Sequence, residues 1–356
     1  MKEEKMPKRS LVLVGTMEGG YYFERGKKAW RRKGPFLKKE SVSHFAYDRK
    51  SRTLYATTLT DGVHVSKDLG KTWKPVNSGL PIRKIWTIAI SPHDPNLLFV
   101  GTHYSHLFQS NNRGKTWEEV ESLFKIEGRK DWGIDWRFGT IGNCIHTLLM
   151  DPKEPKRILF VSSLAGPYRS EDGGIQWMRI RNGVMDSCPE NSDPKHLEEV
   201  HSCTHRIAIS STTPNLLYQQ NHCGVYRSEN LGEKWEDISK GLPSRHGFPI
   251  AVHSKNGQEI LFVIPAYQGK CDKHNSCIQG ELAVYRSKDR GMTWEKQTDG
   301  FPKNVHTCIL RHGMSSNSEG IFFGTTTGEV YGTLNDGEGW EPIASNLPRV
   351  QGVVAI

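Results

Sequence analysis

The 356-residue chain has no run of about 18 consecutive apolar residues, so a membrane-crossing helix is not expected. Its first ten residues, Met1 to Ser10, are mostly charged and lead straight into an apolar β-type segment. With no hydrophobic stretch and no small-residue cleavage site there, a secretory leader is not expected either. Cysteine is scarce: seven residues, an odd number, are too few for a disulfide scaffold of this length and point to reduced thiols in a cytoplasmic protein. No nucleic-acid-binding motif occurs, so neither nucleic acid nor a membrane is an expected partner, and the chain reads as a soluble monomer.

What is present is one short pattern repeated six times. It reads SKDLGKTW at Ser66–Trp73, SNNRGKTW at Ser110–Trp117, SEDGGIQW at Ser170–Trp177, SENLGEKW at Ser228–Trp235, SKDRGMTW at Ser287–Trp294 and TLNDGEGW at Thr333–Trp340. An Asp or Asn side chain can bond backbone N–H groups a few residues on. The glycine takes a positive φ at no steric cost, and together they close a tight turn. The tryptophan that follows buries a large ring and needs one partner for its indole N–H. The pattern resembles the Asp-box, or BNR, repeat of sialidase-like and sortilin-like β-propellers. The resemblance implies that the boxes are structural and sit at the blade periphery.

Successive box tryptophans are 44, 60, 58, 59 and 46 residues apart, the spacing of one four-stranded blade with its loops. Upstream of several boxes lies an apolar strand pair joined by a polar turn: Trp86 to His103, His146 to Leu164 and His205 to His222. The first strand of each pair reads as the innermost strand of its blade. Leu11 to Trp30 has the strand–turn–strand–Trp order of a degenerate repeat but no inner strand, and the lone apolar strand 350–356 is left over at the other end. Pairing the two closes the ring and removes an exposed edge. The expected fold is all-β, a single seven-bladed propeller over 1–356. Its blade one is shared by about 10–40 and 349–356, with insertions at about 125–143, 181–204 and 268–281.

Inner strands of a propeller line its central channel. Aligning WTIAIS, HTLLMD, HRIAIS and HTCILR places Trp86, His146, His205 and His306 at one level of a mouth, with Arg311 ending the last segment. His103, Arg206, Asn221, His222 and His246 fall near the same level. Three imidazoles there, His146, His205 and His306, could hold zinc or iron with positions open to substrate. Alternatively, they are polar filler of a wet channel. The insertion at 125–143 carries Asp131, Trp132, Asp135 and Trp136, the pairing of rings and carboxylates that a carbohydrate site uses; the same rings would equally make a satellite core. The insertion at 181–204 adds Glu198 and leads into His205. Cys271, His274 and Cys277 offer a disulfide or a metal clip, one ligand short of a closed zinc site, or belong to an ordinary polar loop. Part of the net charge of +9 is concentrated in Arg25, Lys27, Lys28, Arg31, Arg32, Lys33, Lys38 and Lys39, an edge for an acidic partner or a solvated outer strand.

The boxes, the phrase at Gln220 to Ser228 and the ending at Gly324 to Pro348 resemble prokaryotic BNR-repeat proteins labelled glycosyl hydrolase. The Phe-Arg-Ile-Pro motif of true sialidases is missing. The resemblance also extends to xyloglucan-cleaving enzymes and to photosystem assembly factors built on this repeat. Several functions therefore stand open: a propeller that binds a small molecule or a partner at a His-rich mouth, a glycoside hydrolase that is not a sialidase, a three-His metalloenzyme, and an assembly scaffold.

Overall fold

The computed structural model describes residues 11–27, 29–129, 132, 143–163, 165–185, 203–213, 215–267 and 277–356. These form seven four-stranded antiparallel sheets. In each, the first strand in blade order packs near its counterparts from the neighbouring blades and lines the axis. No helix among them is long and apolar enough to cross a membrane.

Blade one is composite. Its strands Leu11–Thr16, Gly19–Arg25 and Trp30–Phe36 are completed on the inner side by Val350–Ala355. Val12 faces Ala355, Val14 faces Val353, and Gly15 faces Gly352 across an antiparallel ladder. The expected ring closure is what the chain adopts. Of the basic run, Arg31, Arg32 and Lys33 lie on Trp30–Phe36, the outermost strand of the blade, while Arg25 ends the strand before it and Lys38 and Lys39 follow it. There Arg32 lies over the Tyr21 ring at 4.5 Å and Lys33 over Tyr22 at 5.3 Å. Lys28 lies outside the described residues.

Seven apolar clusters hold the ring together, and each bridges two neighbouring blades. Leu13 and Tyr22 of blade one meet Phe45 and Leu54 of blade two. Leu159 and Val161 of blade four meet Leu217 and Trp235 of blade five. The last seam joins Phe322 and Val330 of blade seven to Val12, Val350 and Val353 of blade one. The core is thus distributed over the seams, and each blade is stable only between two others.

The boxes account for the seams' outer ends. In the first, Ser66 Oγ donates to Asp68 Oδ1 (2.8 Å) and accepts from Gly70 N (2.8 Å), while Thr72 N donates to Asp68 Oδ1 (2.9 Å). These bonds hold the Asp68 carboxyl down at about 2, with Thr72 the largest cause. Gly70 has φ +85° and Leu69 just before it +58°, a double left-handed turn that only glycine makes without strain at the second position. Three box indoles bond backward to a backbone carbonyl across the seam: Trp117 Nε1 to Val76 O (2.8 Å), Trp235 Nε1 to Ile180 O (2.9 Å), Trp294 Nε1 to Ile238 O (2.8 Å). A second tie, unforeseen in the sequence, runs forward. The arginine that precedes the box serine donates to the carbonyl of a left-handed box residue in the next blade: Arg169 to Leu231, Arg227 to Arg290 (3.3 Å) and Arg286 to Asp336 (2.8 Å). The sixth box has drifted: Thr333 stands for Ser, and the Trp340 indole N–H has no partner among the described residues.

The cysteines depart in part from the all-reduced expectation. Cys144, Cys203, Cys277 and Cys308 are thiols, but Cys223 is disulfide-bonded. Cys277 is buried in the blade-six/seven cluster with its Sγ 3.1 Å from Thr307 O, so the disulfide form of a Cys271–Cys277 clip is excluded. Cys271 and His274 lie outside the described residues.

Deleting Val350 to Ile356 strips the inner strand from blade one and leaves Val12 and Val14 on an open edge. The truncated chain is expected to aggregate or to melt far below the full chain in calorimetry; unchanged melting as a monomer would show that closure is dispensable. Trp235, 2% exposed, fills the blade-four/five seam. Trp235→Ala should lower the unfolding free energy in urea by roughly 3–5 kcal/mol.

Candidate functional site

Each inner strand begins at one end of the ring, so the antiparallel alternation puts every Asp-box turn at the opposite end. The mouth at the inner-strand starts is where the polar residues gather. Here the inner ladders of blades three, four and five each carry a one-residue irregularity: between Ile85 and Thr87, Ile145 and Thr147, and Thr204 and Arg206. The skipped residues are Trp86, His146 and His205. A bulge leaves its extra residue unpaired and re-aims its side chain, and that is how two imidazoles and an indole come to face the axis.

His306 does not join them. It is exposed, ahead of the inner strand of blade seven and beside Gly280. The polar residue that ends this inner strand is Asn317, whose amide bonds Gly320 O as Asp151 bonds Arg157 O, and not Arg311. Counting back five residues from Asp151 gives His146, and from Asn317 gives His312. His312 is buried, its Nε2 donates to the His146 carbonyl, and its ring lies 4.2 Å from that of His44. The sequence alignment slipped because the strand is interrupted between Cys308 and Gly313, and the His146–His205–His306 trio is corrected accordingly.

The mouth has two clusters. Deeper lie His44, His146, His312 and Arg206, whose guanidinium donates to Arg311 O at 2.9 Å. Burial pulls Arg206 down to about 10 and His44 to about 3, the latter helped by Arg206; His146 and His312 are held well below the ordinary imidazole value, burial again coming first. The second cluster is His205, His222 and His246. The His205 ring is 4.5 Å from His222, 5.5 Å from His246 and stacked at 4.4 Å on Phe248. The Arg311 guanidinium lies 5.6 Å from the Phe248 ring and adds its charge to burial in lowering His246 to about 4. His44, His146, His205, His246 and His312 are therefore neutral near neutral pH and keep a lone pair.

Buried polar atoms ordinarily have partners. Here His146 Nε2, His205 Nε2, Asn221 Nδ2, Trp86 Nε1 and Arg311 Nε have none among the described residues, an accumulation that suits a ligand or ordered water. Asn221 Oδ1 is occupied by Cys223 N (2.7 Å). At the rim His103 is buried, with Tyr104 against it at 4.3 Å and turned outward, 49% exposed. Tyr267, 60% exposed, stands at the corresponding connection of blade six.

Of the ring-and-carboxylate insertion, Trp132 is described. It packs on Tyr168 (5.1 Å) and Phe160 (6.3 Å), with Arg129 over its other side at 4.7 Å. That packing is the one the satellite-core alternative expects, and the ring is left half-buried. Asp131, Asp135, Trp136 and Glu198 lie outside the described residues. Sequence reasoning missed His44, His312 and Phe248. The missing signal was the polar strand end, five residues downstream of each axial position.

His312 supplies a pH prediction. It faces His44 and Arg206, is neutral when folded, and protonates with a pKa near 6.5 when unfolded, so its stabilisation is present above that value and is lost as pH falls toward the depressed folded value. In urea titrations between about pH 6 and 5, His312→Gln should flatten the fall of unfolding free energy by roughly 1 kcal/mol per pH unit. Equal slopes in the two proteins would contradict this.

Among known families, the BNR-Asp box repeat model matches residues 107–120 and 284–298. The xyloglucanase Xgh74A of Acetivibrio thermocellus is 27% identical over 261 residues, 65% of this chain and 28% of the relative, so the chain spans little more than a quarter of that protein's length. Among solved structures, an ancestral GH74 enzyme superposes with a TM-score of 0.62 at 18% identity, covering 86% of this chain and 39% of the other. The GH74 xyloglucanase from Xanthomonas campestris gives 0.60 at 15% identity (94% and 46%). YCF48 bound to a peptide gives 0.53 at 10% identity (95% and 86%). With its six boxes and seven closed blades, the chain is a BNR-Asp box repeat β-propeller, related in sequence to a xyloglucanase and in fold to GH74 enzymes and YCF48.

Proposed function

We propose that this propeller is a carbohydrate-active protein of the glycoside-hydrolase type that takes a glycan chain across the His-lined mouth. The observation that carries the reading is the sequence match to a xyloglucanase over 261 residues, two thirds of the chain and well beyond a single repeat. Two further observations support it. Tyr104 and Tyr267 offer exposed rings at equivalent connections on the mouth side, the kind of face on which a pyranose stacks. Trp86 presents a half-buried indole nearby, its buried N–H without a partner among the described residues.

Hydrolysis needs one carboxyl to protonate the leaving oxygen and a second to act as base or nucleophile. Asp131, Asp135 and Glu198 are the candidates from sequence. Trp132, next to Asp131, is anchored at the blade-four rim by its own packing and by Asn143 Nδ2, which donates to its carbonyl at 3.2 Å. Asp131 is the residue to test first. The neutral imidazoles of His146, His205 and His246 would bind hydroxyls at the mouth without titrating near neutral pH, with the Arg311 guanidinium beside them as a donor.

Binding is measured by affinity electrophoresis and calorimetry against xyloglucan, other β-glucans and a non-β-glucan control, and hydrolysis by release of reducing ends. Tyr104→Ala and Tyr267→Ala should each weaken glycan binding by about 3- to 10-fold. Asp131→Asn should lower turnover by about a hundredfold or more if it is the acid or base. Binding without hydrolysis narrows the protein to a glycan-binding module, and absence of both with every glycan sinks the reading.

A further inference from the structure

We infer that Cys203, His205 and His222 form a transition-metal site of the zinc class at the channel mouth, distinct from the three-histidine set the sequence suggests. One ligand atom from each residue lies within 4.8 Å of the others. A tetrahedral zinc ion with bonds of about 2.0–2.3 Å needs ligand separations of roughly 3.3–3.8 Å, so closure asks for about 1 Å of side-chain adjustment.

His205 points most directly to a ligand. It is wholly buried, its Nδ1 is taken up by the Gly247 carbonyl and its Nε2 has no partner among the described residues. A carbonyl accepts, so Nδ1 carries the hydrogen and Nε2 is left with a lone pair available to a ligand. That is the outer-shell arrangement which fixes the tautomer and ring orientation of a metal-binding histidine. An apolar or hydrogen-bonding role leaves the buried Nε2 lone pair unexplained.

The fold brings the three together through one irregularity. Cys203 and His205 flank Thr204, which pairs with Asn221, the neighbour of His222. The skipped residue in the ladder is His205, so its side chain turns to the same side as those of Cys203 and His222. One thiolate and two neutral imidazoles suit zinc better than the hard cations magnesium or calcium, which prefer oxygen. Three protein ligands leave a fourth position for water, and His246 stands edge-on to both imidazoles at 4.9 and 5.5 Å, bounding that position.

The test uses the full chain, freed of any histidine tag, treated with chelator and then reloaded with zinc or cobalt(II). Elemental analysis after dialysis should return one zinc per chain. The cobalt form should show a thiolate-to-metal charge-transfer band together with tetrahedral visible absorption. Cys203→Ser should abolish the charge-transfer band, and His205→Ala should weaken zinc binding at least about a hundredfold in a competition titration, whereas His306→Ala should change neither. If His205→Ala does not fold, the cobalt spectrum of the unaltered chain and of Cys203→Ser decides alone. Less than one zinc in ten chains after loading, or a charge-transfer band that survives in Cys203→Ser, overturns the assignment. None of these readouts involves a glycan, so the metal site and the carbohydrate reading fail independently.

Discussion

Every other contact in this molecule presupposes one ladder, the pairing of Val350–Ala355 with Leu11–Thr16. Each blade has its apolar surface on both sides, and no blade has a core of its own; Phe322 and Val330 of blade seven find partners only because Val12 and Val353 arrive together. With the ring closed, seven equivalent seams form and no sheet ends in a bare inner edge. With it open, two apolar faces meet water at once. Closure also fixes the axis, and the axis decides which residues become functional.

Around that axis electrostatics and burial act in the same direction. Arg206 and Arg311 place two cations among histidines that burial already disfavours as cations, so the imidazoles stay neutral and act as acceptors or ligands. A channel filled with carboxylates would have neutralised the arginines and let the histidines charge. Its chemistry here is of lone pairs and N–H groups, which suits polyhydroxyl ligands and borderline-soft metals alike.

The fold was legible because it is written in turn chemistry. Ser66, Asp68, Gly70 and Trp73 are each required by a particular bond or dihedral, and six repetitions make chance an inadequate explanation. Even the degenerate first blade could be read from the orphan strand at the other end. The site was legible where strand patterns were unbroken: His146 and His205 face the mouth as their position implies. It was misread in blade seven, where the interruption around Gly313 shifts the register and gives His312 the place assigned to His306. Trp132 shows a different limit. A ring beside a carboxylate has the same sequence appearance whether it stacks on a sugar or, as here, on Tyr168. The disulfide at Cys223 was hidden because cysteine count says little about which thiols the fold brings together.

The closing pair has a mechanical consequence. Leu11 and Ile356 exchange hydrogen bonds with one another, so the two ends of the described chain leave the ring side by side, at the end remote from the mouth. Tension applied between those ends would load the antiparallel ladder at one extremity and peel it a bond at a time, the geometry of a zip rather than a shear. A pull on one end alone, against an object held in the mouth, would instead run through the seams and leave the zip unloaded. The ring therefore resists force in one direction and yields to it in another, and the choice is set by which points are held.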